Sequence, residues 1–117
     1  LGFDTLAAEA VVRLRSSHPK VRLIMVLPCL DQTRGWTKAD QWRYERIRQQ
    51  ADKVVYTGQF YTPGCMHARN RHLAGESAWC VCYLTQERGG TFYTVDLCRK
   101  QGSTVINLAD PMALDSL

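Results

Sequence analysis

Helix-like and strand-like patterns alternate along the whole chain, and this constrains the fold more than any single motif. Asp4 resembles a helix cap, and Leu6, Ala7, Ala10, Val11 and Leu14 follow it as an apolar stripe at helical spacing. His18-Pro19 closes a turn, and Val21 to Leu27 reads as a β-branched, nearly continuous apolar strand, as expected for burial on both faces in a parallel sheet. Thr37 with Asp40 three residues on resembles a capping box, and Ala39, Tyr44, Ile47 and Ala51 give the next helix a core-facing stripe. Lys53 to Thr57 is a second strand, Met66 to Gly75 a third helix, and Ala78 to Leu84 a third strand. Gly89-Gly90-Thr91 leads into a fourth helix, which has Arg99 and Lys100 in its last turn and Gly102 as its stop. Thr104 to Leu108 is the last strand, and Asp110 to Leu117 reads as a tail.

Strands that alternate with helices imply right-handed crossovers and a parallel sheet with helices on both faces, a Rossmann-like, doubly wound α/β fold. At 117 residues the expectation is one domain spanning residues 1–117. The chain opens on a helix with no strand before it, so it reads as part of a longer polypeptide whose first strand or strands lie upstream. No apolar run approaches the ~20 residues of a membrane span. The five cysteines include no Cys-x-x-Cys pair, which argues against a secreted disulfide framework and for a reducing, cytoplasmic setting.

In this architecture ligands bind beyond the carboxyl ends of the strands, which places chemistry within Pro28–Trp36, Gly58–Arg71 and Thr85–Thr94. Gly89-Gly90-Thr91 stands where a strand meets a helix. Glycine lets the backbone approach an anion, and free N–H groups with the helix dipole favour a phosphate; a tight turn is the plainer reading of the same residues. Arg69-Asn70-Arg71, flanked by His67 and His72, is either a solvated basic face or a phosphate grip. The two arginines are two apart on a helix, so at most one of them faces the crevice. Cys80 and Cys82 share one strand face and read as buried small hydrophobes; no Cys-x-x-Cys or His-x-x-x-His calls for a metal, no local signature marks a catalytic Cys–His pair, and no cofactor is expected.

Three segments in order carry a resemblance: Gly2-Phe3-Asp4-Thr5-Leu6-Ala7-Ala8-Glu9-Ala10, then Arg69-Asn70-Arg71, then Gly89-Gly90-Thr91-Phe92-Tyr93-Thr94. They resemble the SLOG superfamily, named for the DNA-processing protein DprA (Smf) and the Lonely Guy phosphoribohydrolases, and most of all its bacterial YoqJ-like branch. Val26-Leu27-Pro28, Val54-Val55-Tyr56 and Tyr61-Thr62-Pro63-Gly64-Cys65 fit that branch too, so the likeness covers nearly the whole chain. It implies a Rossmann-like fold and a pocket for a nucleotide or nucleotide-derived ligand, lined by Gly2, Asp4, Arg69, Asn70, Gly89, Gly90, Thr91 and Thr94.

The resemblance leads to three functional classes. The first is non-catalytic binding or sensing of a nucleotide-like small molecule. The second follows from Arg69 to Gly75, which resembles the Arg-Asn-Arg stretch of DprA-like proteins: an accessory protein for single-stranded DNA, which the net charge of +4 permits. The third is a nucleoside monophosphate phosphoribohydrolase, because Met66-His67-Ala68-Arg69 is similar to the Met-His-x-Arg of Lonely Guy proteins. Their carboxylate, however, aligns with Thr94, which cannot serve as a base, so the chain is read as leaning away from catalysis. A homodimer is compatible with each class; a membrane partner is not expected.

Overall fold

A computed structural model describes residues 2–116. The elements run α1 (Phe3–Leu14), β1 (Ile24–Leu27), α2 (Lys38–Gln50), β2 (Lys53–Tyr56), α3 (Cys65–Gly75), β3 (Trp79–Cys82), α4 (Gly89–Lys100), β4 (Thr104–Asn107) and a 3-10 turn (Ala113–Ser116). The helix–strand alternation read from the pattern is present, with four α-helices and four short strands among the described residues. The strands form two parallel pairs, β1 with β2 and β3 with β4. The chain divides into two compact units, one ending at Tyr61 and the other beginning at Thr62.

In the first unit Met25 lies opposite Val54 and Val26 opposite Val55, with α2 as the crossover between the strands. Leu23, Leu27, Pro28, Cys29 and Ile47 are buried and form its core. Thr37 caps α2 as the pattern anticipates, for its Oγ1 accepts the Asp40 N–H at 3.1 Å. The loops that leave β1 and β2 are laced together. Leu30 N–H donates to the Gln59 carbonyl at 3.0 Å, Tyr61 N–H donates to Asp31 Oδ1 at 2.9 Å, and Thr57 N–H donates to the Leu27 carbonyl at 2.9 Å. The backbones come so close that a Cβ on Gly58 would stand 2.9 Å from the Pro28 carbonyl oxygen. Only glycine fits that crossing.

Three expectations are corrected in this unit. The cap of α1 is Gly2, at φ 74°, and Asp4 sits inside the first turn, where its charge complements the dipole. The first strand begins at Ile24, three residues later than the apolar run. The reason is that other acceptors take its N–H groups: Val21 N–H closes a turn on the His18 carbonyl, and Leu23 N–H goes to the distant Asp52 Oδ2 at 2.7 Å. Nor is β1 buried on both faces, because Ile24 is 54% exposed.

In the second unit Cys65, Ala74, Cys82, Val95 and Cys98 are buried where α3 and α4 pack together and α4 covers one face of β3. Cys80 and Cys82 share that inward side, while Trp79, Val81 and Tyr83 alternate with them and are exposed. The third strand ends at Cys82 rather than Leu84, because a side chain takes over the ladder there. Asn107 Oδ1 accepts Leu84 N–H at 2.9 Å, and Asn107 Nδ2 donates to the Leu84 carbonyl at 2.9 Å. Gly102, at φ 88°, stops α4 in the left-handed conformation expected of it. The tail is more ordered than its composition indicated, since it holds the 3-10 turn.

Candidate functional site

The fourth helix begins at Gly89, two residues before the expected start at Thr91. Gly89 takes φ 93°, a conformation that an L side chain rarely adopts, so the chain turns from β3 into α4 on glycine. Arg88 holds the N-cap position in extended conformation and makes no side-chain cap bond. The first N–H groups of an α-helix have no intrahelical acceptor, and Gly89, Gly90 and Thr91, which carry them here, are all exposed. A backbone donor cluster at the positive end of a helix dipole thus faces solvent.

Packing of α3 on α4 brings Asn70 to this turn. A methyl group added at Gly90 would stand 3.9 Å from Asn70 Nδ2. Arg69 fixes which end of that amide faces the helix, because its Nε donates to Asn70 Oδ1 at 2.7 Å. The amide nitrogen, a two-proton donor, is left on the Gly90 side. Arg69 and Asn70 are half-buried, whereas Arg71 is exposed, as the two-residue spacing required. A second carboxamide lies over the same turn, with Gln86 Nε2 3.7 Å from where a Cβ on Gly89 would be. One turn further along, His67 meets Tyr93 edge-on, with ring centres 4.8 Å apart and planes at 83°.

Of the residues expected to contact a ligand, the second unit therefore collects Arg69, Asn70, Gly89, Gly90 and Thr91. Thr94 belongs to the same helix, but its hydroxyl donates to the Gly90 carbonyl at 2.9 Å, so its one proton is engaged within α4. Gly2 and Asp4 stand at the start of α1 in the first unit. Gln86 and the His67–Tyr93 pair escaped the sequence reading. Gln86 lies three residues before the glycine turn, a spacing that could have marked it, but the ring pair is set by helix packing and has no local signal.

The arrangement is rich in donors and poor in carboxylates. Asp96, the carboxylate two residues beyond Thr94, is bound to Lys100 at 2.9 Å one turn along. Glu87 is exposed and precedes the helix. Burial, with the Cys98 and Cys82 thiols adding to it, pushes the Cys80 thiol up to about 12, so it stays protonated at neutral pH. Among the described residues no group of His, Cys, Asp and Glu is placed to hold a metal ion, and no helix is long and apolar enough to cross a membrane.

Two parallel strand pairs, each joined through a helix, with a glycine-led helix start after the third strand, define an α/β protein. The sequence model of YpsA, described as the YspA SLOG family, matches residues 1–109, and the chain belongs to that SLOG family. It is similar to a UPF0398 protein of Halalkalibacterium halodurans, at 28% identity over 86% of this chain and 55% of the relative. UPF0398 proteins of Bacillus thuringiensis (strain Al Hakam) and Bacillus cereus (strain AH187) are 29% identical over 87% of this chain and 57% of their own length. The chain thus spans a little over half the length of the curated relatives it matches.

Proposed function

We propose that the second unit binds the phosphate of a nucleotide or nucleotide-derived ligand at the first turn of α4, without catalysing a reaction on it. In this reading the N–H groups of Gly89, Gly90 and Thr91 receive the phosphate oxygens, Asn70 Nδ2 adds a side-chain donor, and Arg69 adds positive charge beside it. The observation that carries the reading is the placing of Asn70: its amide nitrogen lies beside Gly90, with its orientation set by Arg69. The fold we infer around this site is a Rossmann-like, doubly wound parallel sheet, supported by the two parallel pairs and the regular alternation of strand and helix.

Two measurements test the reading. Small molecules released on denaturing freshly purified protein, identified by mass spectrometry, are expected to include a nucleotide or a derivative of one. Calorimetric titration with adenosine monophosphate is expected to show binding that Arg69→Ala weakens by about tenfold or more, since a charge-assisted hydrogen bond contributes roughly 1.5–3 kcal/mol. No released nucleotide and no binding of nucleoside monophosphates would sink the proposal. An empty protein that instead binds single-stranded DNA tightly, with affinity falling steeply with salt, would move it to the DprA-like class. Ribose 5-phosphate is not expected on incubation with nucleoside monophosphates, because Thr94 is neutral and Asp96 is held by Lys100.

A further inference from the structure

The first unit carries a groove that the phosphate reading does not use. Ala39, Trp42, Arg43, Arg46, Ile47 and Gln50 fall at i, i+3, i+4, i+7, i+8 and i+11, so they form one face of α2 along nearly its whole length. This face and part of α1 line a cleft of about 600 Å³. At 1.5 Å per residue the α2 face is about 16 Å long. Val12 of α1 and Ile47 of α2 give the cleft apolar walls, and Trp42 stands in it 64% exposed. The Arg46 guanidinium lies 5.2 Å from the centre of the Trp42 ring, which keeps a cation over the indole.

The charge of the groove is unbalanced. Its lining holds one carboxylate, Glu9, against the guanidiniums of Arg13, Arg43 and Arg46. Arg43 grips Glu9 with two prongs, Nε to Oε2 at 3.0 Å and Nη2 to Oε1. That hydrogen bond, with the nearby charges of Arg13 and Arg46, holds the Glu9 carboxyl below its ordinary range. Glu9 can neutralise one guanidinium, and two positive charges remain for something else.

We propose that this groove docks an acidic amphipathic helix of a partner protein, about three turns long. Its apolar ridge meets Val12 and Trp42 over Ile47, and its carboxylates meet Arg13 and Arg46. Length selects a helix, because a lining that follows the period of α2 for three turns matches anchors at i, i+3, i+4 and i+7 of a partner, whereas a small molecule would cover only part of it. Charge selects an acidic one. A nucleic-acid strand fits less well, since successive bases require successive aromatic platforms and the groove has one.

The test is a display library of scaffolded 14-residue helices, randomised on one face and selected against the immobilised full chain. The expected winners carry Asp or Glu beside Leu or aromatic residues at helical spacing. For the best of them, measured by fluorescence anisotropy, Trp42→Ala should weaken binding by about thirtyfold, as for a buried interface anchor. Arg13→Glu with Arg46→Glu should weaken it by about tenfold or more and flatten its salt dependence. Far-UV circular dichroism checks that each variant is folded; if Trp42→Ala is not, the arginine pair and Trp42→Phe, which should retain most of the affinity, decide. Four results overturn the proposal: no enriched helix, enrichment without acidic residues, affinity indifferent to these substitutions, or a twelve-residue oligothymidylate that binds more tightly with the same dependence on Trp42. Nucleotide binding at the second unit should be unchanged in all of these variants.

Discussion

Asn107 holds Leu84 by both of its backbone polar groups, accepting its N–H at 2.9 Å and donating to its carbonyl at 2.9 Å. The same Oδ1 also accepts the Ala109 N–H at 3.0 Å. A carboxamide presents the donor and acceptor of a peptide group, so here one side chain does the work of a ladder rung. Asn107→Ala leaves three half-buried backbone groups without their partner and should cost about 1–3 kcal/mol in urea unfolding. Asn107→Asp keeps the acceptor but sets a negative charge against the Leu84 carbonyl, and should be destabilising as well. Variants as stable as the parent would show that backbone or water replaces the rung without loss.

Gly58→Ala and Gly75→Ala should move stability in opposite directions. At Gly58 the new methyl meets the Pro28 carbonyl oxygen at 2.9 Å, and that neighbour is backbone and cannot swing away. Overpacking of this kind costs about 1–3 kcal/mol. At Gly75, the last residue of α3, the methyl has nothing within 4 Å. There alanine should stabilise by a few tenths up to about 1 kcal/mol, because it narrows the unfolded ensemble and suits the helix. Paired denaturation curves read both signs.

Asp52 should make the first unit acid-sensitive. Its carboxyl is held below the ordinary range first by the hydrogen bond from Leu23 N–H and then by the charge and hydrogen bond of Arg15, whose Nη1 lies 2.8 Å away. A depressed folded-state pKa means that the contribution is fully present above the unfolded value of 3.8 and is lost as pH falls through the folded one. Asp52→Ala should therefore melt lower than the parent at neutral pH, with the gap closing as the pH drops below about 4. A gap that stays constant from pH 7 to pH 2 would refute this linkage.

Tyr44 should respond at the other end of the scale. Burial, with some help from Tyr56, pushes its phenol up to about 12, above the ordinary 10. Because the folded state disfavours ionisation, stability should decline once the pH passes about 10, where the unfolded phenol ionises. Ultraviolet titration should show a late tyrosine step near pH 12, and Tyr44→Phe should remove it. Trp36 meets the Tyr44 ring edge-on at 5.6 Å, so the phenylalanine variant keeps the packing while deleting the titration.

What could be read from the pattern was whatever local chemistry decides. Thr37 with Asp40 announced the start of α2 and Gly102 the end of α4, because a cap and a left-handed stop each depend on a few neighbouring residues. Strand lengths were overestimated where apolar runs continue past the ladder. Val21 and Leu23 look like strand residues, yet a turn and the distant Asp52 claim their N–H groups. Around α4 the glycine turn and the Arg-Asn-Arg stretch were visible. The meeting of Asn70 with Gly90, and of His67 with Tyr93, was not, because each depends on how two helices pack.

The lacing of the loops after β1 and β2 has a dynamic consequence. Leu30 N–H is protected only while the Gln59 carbonyl is in place, and Tyr61 N–H only while Asp31 is. Neither loop can open without releasing a bond held by the other, and the tight crossing at Gly58 leaves no slack between them. In native-state hydrogen exchange the two amides should therefore report one opening event with one free energy, although 31 positions separate them in sequence. Anything that steadies one of these loops will slow exchange in both.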